Sequence, residues 1–400
     1  MYEEYRDSGV MWLGRIPAHW EIGKIGYLFV ERKTKVSDKV YQPLSVTKKG
    51  ILPQLENAAK SDDSDNRKLV CAGDFVINSR SDRKGSCGIS DFTGSVSLIN
   101  IVLIPRDILH TRYVYYLLGC HSFSEEYYRH GKGIVDDLWT TRYRDMASIY
   151  IPVPPLHEQH KIAHYLDRIT SFLDRMIETR RNELAAFIEF RKAIISQEVS
   201  RGDWPQVKLR HILRPVSVKN HPELPLLSVT REKGVIIRDI EDFETNRNFI
   251  PDDLSGYKVV RPGQLVINKM KAWQGSCGIS DYTGIVSPAY FVFDVNFDNL
   301  RFFHHAIRSS IYADFFAQAS GGIRVGQWDL QMDKIKDSPF PCPPAHEQHR
   351  IANFLNNICS HINNIITIYT QQIPLLHELK ASIINNAVTG QIDLRDIHIP

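Results

Sequence analysis

Apolar residues recur at steps of three and four through Ile162, Leu166, Ile169, Leu173, Met176, Leu184, Phe187, Ile188, Ile194 and Ile195, and neither proline nor glycine interrupts His157 to Val199. That period predicts one long amphipathic helix with a coiled-coil-like seam, roughly 60 Å long at a rise of about 1.5 Å per residue. A second run follows the same steps through Ile351, Leu355, Ile358, Ile362, Ile365, Tyr369, Leu376, Leu379 and Ile383. Pro374 lies inside it, removes a backbone donor and predicts a kink or break near Gln371. The regions before each run read differently. Leu69 to Cys71, Asp74 to Asn78 and Val96 to Ile104 are short β-rich pieces punctuated by Gly73, Gly85, Gly88 and Gly94. Helical spacing appears briefly around Thr111 to Tyr128. Prolines then close each region: Pro152, Pro154 and Pro155 before the first run, and Pro339, Pro341, Pro343 and Pro344 before the second. They suit an extended approach to a helix start.

A stripe on a long helix needs a partner, and two helices of matching length most simply pack antiparallel, with the globular regions at opposite ends. The expected fold class is α+β: two β-rich domains, 1–154 and 203–343, separated by helical regions 155–202 and 344–400. The chain also repeats itself. G-S-C-G-I-S-D-F-T-G (Gly85 to Gly94) returns as G-S-C-G-I-S-D-Y-T-G (Gly275 to Gly284), and Leu44-Ser45-Val46-Thr47 as Leu227-Ser228-Val229-Thr230. Trp20 followed by Lys24-Ile25 answers Trp204 followed by Lys208-Leu209, and His-Glu-Gln-His occurs at His157 to His160 and at His346 to His349. One duplication is too few for a solenoid. It predicts two similar modules related by approximate two-fold symmetry, suited to a target with two halves.

Composition narrows the picture only a little. Over 400 residues, 43% hydrophobic and 24% charged content are ordinary for a globular protein. The net charge of +3 permits nucleic-acid binding without demanding it. Six cysteines form no C-x-x-C pair, which favours reduced thiols in a cytosolic protein over a disulfide framework. No signal peptide or bilayer-length apolar run is visible, so a soluble, cytoplasmic chain without a membrane partner is expected.

The tetrapeptides invite a metal reading, but His157 and His160 are one residue too close for the H-E-x-x-H pair. His160 and His164 have the right spacing, yet the second copy has Asn353 in place of His164. The favoured reading is a helix start, with Glu158 or Glu347 in the first turn. His157, Glu158, Gln159, His346, Glu347 and Gln348 are then candidates for partner docking at that start. No phosphate loop, nucleophile elbow or dinucleotide fingerprint is present, so catalysis in this chain is not expected. Binding chemistry remains. The loop before the first decapeptide offers Asn78, Ser79, Arg80, Ser81, Arg83 and Lys84; the second offers Asn268, Lys269, Lys271, Trp273 and Gln274. A further patch precedes each proline break: Lys132, Thr140, Thr141 and Arg142, then Arg324 and Gln327. Such side chains contact phosphates and read guanine or adenine edges. The near-identical decapeptides read as scaffold, because residues that discriminate sequence should differ between copies.

The opening S-G-V-M-W-L-G-R-I-P-A-H-W (Ser8 to Trp20), both P-P-x-H-E-Q-H segments and the closing A-V-T-G-Q-I-D-L-R (Ala387 to Arg395) together resemble the specificity subunits of Type I restriction–modification systems. The likeness covers essentially the whole chain. It implies two target-recognition domains that each read half of an asymmetric, bipartite site in double-stranded DNA, and helices that act as spacer and docking surface. It implies two modification (methyltransferase) subunits and further restriction/translocase subunits as partners. No cofactor is implied in this chain; S-adenosylmethionine, ATP and Mg belong on those partners. The competing readings are a coiled-coil scaffold or DNA-binding protein without sequence readout, and a self-contained methyltransferase or nuclease.

Overall fold

The computed structural model describes residues 2–55, 65–133, 139–239, 250–321 and 328–395. The two apolar runs form helices at Leu156–Ser200 and Ala345–Val388. Their buried positions match the stripes: Ile162, Ala163, Leu166, Leu173 and Ile177 in the first, Ile351, Ala352, Leu355, Cys359 and Ile362 in the second. Of the kink or break expected near Gln371, the break does not occur: the second helix runs on through Pro374. A proline forfeits one i→i−4 hydrogen bond. The residues around Pro374 are half-buried or exposed, and the nearest buried positions are Ile362 before it and Ala387 after it.

The chain divides into two compact units, residues 1–180 with 371–400, and residues 181–370. Each unit therefore holds one β-rich region, the start of the helix that follows it and the end of the other helix. In the first unit, Asp174 pairs with Lys380 at 2.6 Å and Lys161 Nζ donates to the Arg395 carbonyl at 2.6 Å. In the second, Phe187 meets Tyr369 with ring centroids 6.1 Å apart, and Glu198 lies 3.6 Å from Arg350. Rising numbers on one helix meet falling numbers on the other, so the pair is antiparallel within each unit.

The β-rich regions repeat one topology. A four-stranded antiparallel sheet has the order 87–89, 75–78, 100–105, 29–31 in the first unit and 277–279, 265–268, 290–295, 213–216 in the second. Register repeats too, with Cys87 opposite Ile77 and Cys277 opposite Ile267. The continuous apolar run Phe75-Val76-Ile77 is what a strand buried on both faces requires. Phe75 and Ile77 join the main core with the helices; Val76 joins a smaller one with Leu44, Ile51, Val70, Val96 and Val102. Leu265 and Ile267 against Val266 repeat that division in the second unit.

The decapeptide is framework at nearly every position, in both copies. Gly85 and Gly275 take φ of +79° and +83°, a region that favours glycine. Ser86 and Ser276 accept the amides of Asn78 and Asn268 at 2.9 Å. The Cys87 and Cys277 thiols face the carbonyls of Leu118 and Ile307, and burial pushes both up to about 12. A Cβ on Gly94 or Gly284 would sit 2.5 Å from the carbonyl oxygen of Gln42 or Pro225. Gly284→Ala is accordingly expected to destabilise the second unit by about 1–3 kcal/mol, read as a lower urea midpoint for that unit alone.

Candidate nucleic-acid interface

The loop after each central strand is built the same way. Asn78 and Asn268 turn back to accept the amides of Arg80 and Met270 through Oδ1, both at 3.1 Å, an Asx turn that starts the loop. One 3-10 turn follows, Ser81–Arg83 in the first copy and Ala272–Gln274 in the second. In the first unit, Tyr128 Oη donates to the Asn78 carbonyl at 3.3 Å and lies 3.4 Å from that of Arg83, flooring the loop.

The two sequence patches of the first copy converge here. The Thr141 amide donates to the Ser79 carbonyl at 2.9 Å, and the Ser81 amide to that of Trp139 at 3.1 Å. Thr140 bridges antiparallel to both Arg80 and Lys132. In the second unit the Leu330 amide donates to the Lys269 carbonyl at 3.1 Å, Asp329 pairs with the Lys269 ammonium, and Ser320–Gly321 pairs with Asp329–Leu330. Arg324 and Gln327 lie outside the described residues. Trp273 and Trp328 stand 5.5 Å apart beside the second loop. Trp139, Trp328 and Tyr128 were not among the sequence candidates; the one available signal was that Trp139 and Trp328 stand at equivalent places in the two copies.

Three candidates are corrected. Ser79, Thr141 and Asn268 are buried: Ser79 Oγ donates to the Ile99 carbonyl at 2.6 Å, Thr141 Oγ1 to that of Tyr127 at 3.1 Å, and Asn268 holds its own turn. Their polar atoms are committed inside the unit, so they position the face and do not project from it. What projects differs between units. Arg80, Arg83, Lys84, Lys132 and Arg142 are exposed in the first. Lys84 pairs with Glu125, Lys132 with Asp145 and Arg83 with Asp82, which leaves Arg80 and Arg142 outside any described ion pair. The second unit exposes Lys271 beside half-buried Trp273 and Gln274. Among the described residues, one face is guanidinium-rich and the other is aromatic, with Lys271 as its exposed cation outside any described ion pair.

The His-Glu-Gln-His segments open both helices, but Glu158, Gln159 and Gln348 point inward, while Glu347 stays partly exposed. Glu158, 4% exposed at its side chain, accepts from Trp20 Nε1 at 3.0 Å and Tyr2 Oη at 3.2 Å, and lies 2.7 Å from His19 Nε2. Gln159 Nε2 donates to the carbonyls of Ile108 and Pro154, and its Oε1 accepts the His110 amide. Gln348 repeats the donation, to Pro343. Docking through the side chains of Glu158, Gln159 and Gln348 is thus corrected to anchoring within the chain; His157 and His346 face outward.

A buried basic cluster backs the second unit. His304 Nε2 lies 2.9 Å from Arg308 Nη1 and its Nδ1 lies 3.2 Å from the Ile279 amide. Burial first, then Arg308 and His305, lower its pKa from the ordinary 6.5 to about 3. The unfolded chain takes up this proton near 6.5 while the folded unit resists it. The stability is therefore present above that pH and lost as pH falls towards about 3, at about 1.4 kcal/mol per pH unit. Unfolding midpoints of the second unit measured from pH 7 to 4 should fall accordingly, and His304→Asn should flatten the curve. Among the described residues, no helix is long and apolar enough to cross a membrane, and no cluster of His, Cys, Asp and Glu could hold a metal ion.

The two units are thus two copies of one scaffold carrying unlike faces. Residues 17–186 match the family model of the Type I restriction modification DNA specificity domain. The chain resembles that family over this segment. It is 22% identical to the specificity subunit of the Type I restriction enzyme MjaVIII of Methanocaldococcus jannaschii, over 96% of this chain and 95% of that one. Among solved structures it resembles a chain from a type I R-M system described for complex assembly and conformational transition. That match has TM-score 0.72 and 13% identity and covers 94% of this chain and 99% of that one. It also resembles the HsdS subunit of Thermoanaerobacter tengcongensis, with TM-score 0.56, 15% identity and coverage of 94% and 98%. The family and the curated relative are named for specificity and not for catalysis.

Proposed function

We propose that this chain is the sequence-reading subunit of a Type I restriction–modification assembly in the cytoplasm, with recognition domains at 1–154 and 203–343 and helical docking regions at 155–202 and 344–400. Each recognition domain reads one half of an asymmetric, bipartite site in double-stranded DNA. The helical regions dock two modification subunits, which bring S-adenosylmethionine and methylate adenine, and further restriction subunits that use ATP and Mg. The carrying observation is that the two copies build one backbone frame and mount different side chains on it. Arg80 and Arg142 are exposed in the first unit, where the second has Lys271, Trp273 and Gln274. A symmetric frame with unlike readers suits two unlike half-sites.

Co-expression with the modification partner, followed by single-molecule mapping of methylated adenines, tests this directly. Arg80→Ala with Arg142→Ala should relax the bases read in one half-site and leave the other intact, at about 1–3 kcal/mol of discrimination per lost bidentate contact. A methylated sequence unchanged in both halves would remove these residues from the readers.

A further inference from the structure

The repeated Leu-Ser-Val-Thr segments lead into hairpins whose tips are alike in form and in charge. Strand 44–47 turns through Lys48-Lys49 into 50–53, and strand 227–230 turns through Arg231-Glu232-Lys233 into 234–237. Thr47 Oγ1 accepts the Lys49 amide at 3.0 Å and Thr230 Oγ1 the Lys233 amide at 3.0 Å, closing each tip. Gly50 and Gly234 complete the turns at φ of +103° and +72°. Each tip is then pressed against the decapeptide strand just after the recognition loop. A Cβ on Gly88 would lie 3.1 Å from Gly50 Cα, and one on Gly278 would lie 3.4 Å from Gly234 Cα. In the second unit Arg308 Nη2 also donates to the carbonyls of Arg231 and Glu232 at 2.9 and 3.0 Å, fastening the tip from below.

The charge on these tips is largely uncompensated. Lys48, Lys49, Arg231 and Lys233 are exposed, and Lys48, Lys49 and Lys233 have no ion pair with a described carboxylate. Glu232 Oε2 is held by Arg191 at 2.6 Å, which leaves the Arg231 guanidinium 3.7 Å from its other oxygen. In the first unit Lys48 lines a cleft of about 410 Å³ that also reaches Gly85 and Cys87. Of its other cations, Arg112 and Lys380 are paired with Asp167 and Asp174, and Arg175 donates to Ser171 Oγ. The two copies thus keep two outward cations beside the recognition loop while changing which cations they are. Loops that read bases must differ in shape and hydrogen bonding. Groups that need only positive charge can exchange lysine for arginine, and that is the requirement of phosphate contact.

We infer that the hairpin tips Lys48-Lys49 and Arg231/Lys233 are sequence-independent clamps on the DNA phosphate backbone, one flanking each recognition face. This rests on the specificity-subunit reading above. The test uses the full chain assembled with its modification partner, and anisotropy titrations across salt with the mapped duplex and a scrambled duplex of equal length. Lys48→Ala with Lys49→Ala, and separately Arg231→Ala with Lys233→Ala, should weaken both duplexes alike. Each pair should make the slope of log affinity against log salt shallower by about 2, with the methylated sequence unchanged. Lys48→Arg with Lys49→Arg should keep the wild-type slope. A wild-type slope in the alanine variants, or a changed methylated sequence, overturns the clamp. A wild-type complex that failed to prefer the mapped duplex would instead overturn the underlying reading.

Discussion

A chain ending at Asn386 is expected to lose the cooperative unfolding of its first unit while keeping that of the second. The residues removed sit far along the chain from the domain they complete. Ala387, Val388 and Leu394 are buried in one core with Ile16, Trp20 and Tyr113, and half-buried Ile392 packs against it. Tyr113 Oη donates to the Val388 carbonyl at 3.3 Å, Tyr5 Oη to that of Gly390 at 3.1 Å, and Gln391 Nε2 to that of Arg15 at 2.8 Å. Full burial of a valine or leucine side chain contributes about 1.5–3 kcal/mol. With the hydrogen bonds, the loss reaches roughly 4–8 kcal/mol, comparable to the whole stability of an ordinary domain. Tryptophan fluorescence in urea resolves the outcome, because Trp12, Trp20 and Trp139 report on the first unit and Trp204, Trp273 and Trp328 on the second. A first transition at the wild-type midpoint would show that the tail is not part of that core.

Glu158→Ala is expected to cost the first unit about 2–5 kcal/mol, whereas the sequence-equivalent Glu347→Ala costs the second less than about 1 kcal/mol. Removing the Glu158 carboxylate leaves the Trp20 N–H and Tyr2 O–H buried and unpaired, at about 1–3 kcal/mol each. Trp20 and Tyr2 are 1% and 5% exposed, so water cannot readily replace the acceptor; His19, 41% exposed at its side chain, can be rehydrated. Burial, with Glu158 beside it, already holds the Tyr2 phenol well above its usual range. Among the described residues Glu347 has no such donors: its neighbours are Arg350, 47% exposed, and His346, 78% exposed. Surface pairs of that kind contribute about 0–1 kcal/mol. Equal urea shifts for the two substitutions would refute this division between the copies.

Much was legible before any coordinates. The two long helices follow from apolar steps of three and four that proline and glycine leave alone, because helix periodicity is a local property of the chain. The decapeptide could be read as scaffold because an internal copy shows which positions tolerate no change. Others could not be read so. Ser79, Thr141 and Asn268 look like DNA contacts by residue type, yet each lies where its chain segment turns inward. Pro374 carries a local rule that predicts a kink or break, yet the helix runs on through it.

By itself, then, the sequence determined the α+β class, the duplication, the helix starts and the segments from which the unlike loops come. These depend on neighbours a few residues away or on comparison of one half with the other. Only the tertiary structure decided that the loop at 79–84 and the segment at 140–142 form one face, that residues 387–395 complete the domain begun at residue 2, and that Glu158 is a buried anchor where Glu347 is a surface charge. Those facts depend on which distant segments meet. Identical tetrapeptides acquired different roles because the first found Tyr2, His19 and Trp20 against it and the second did not.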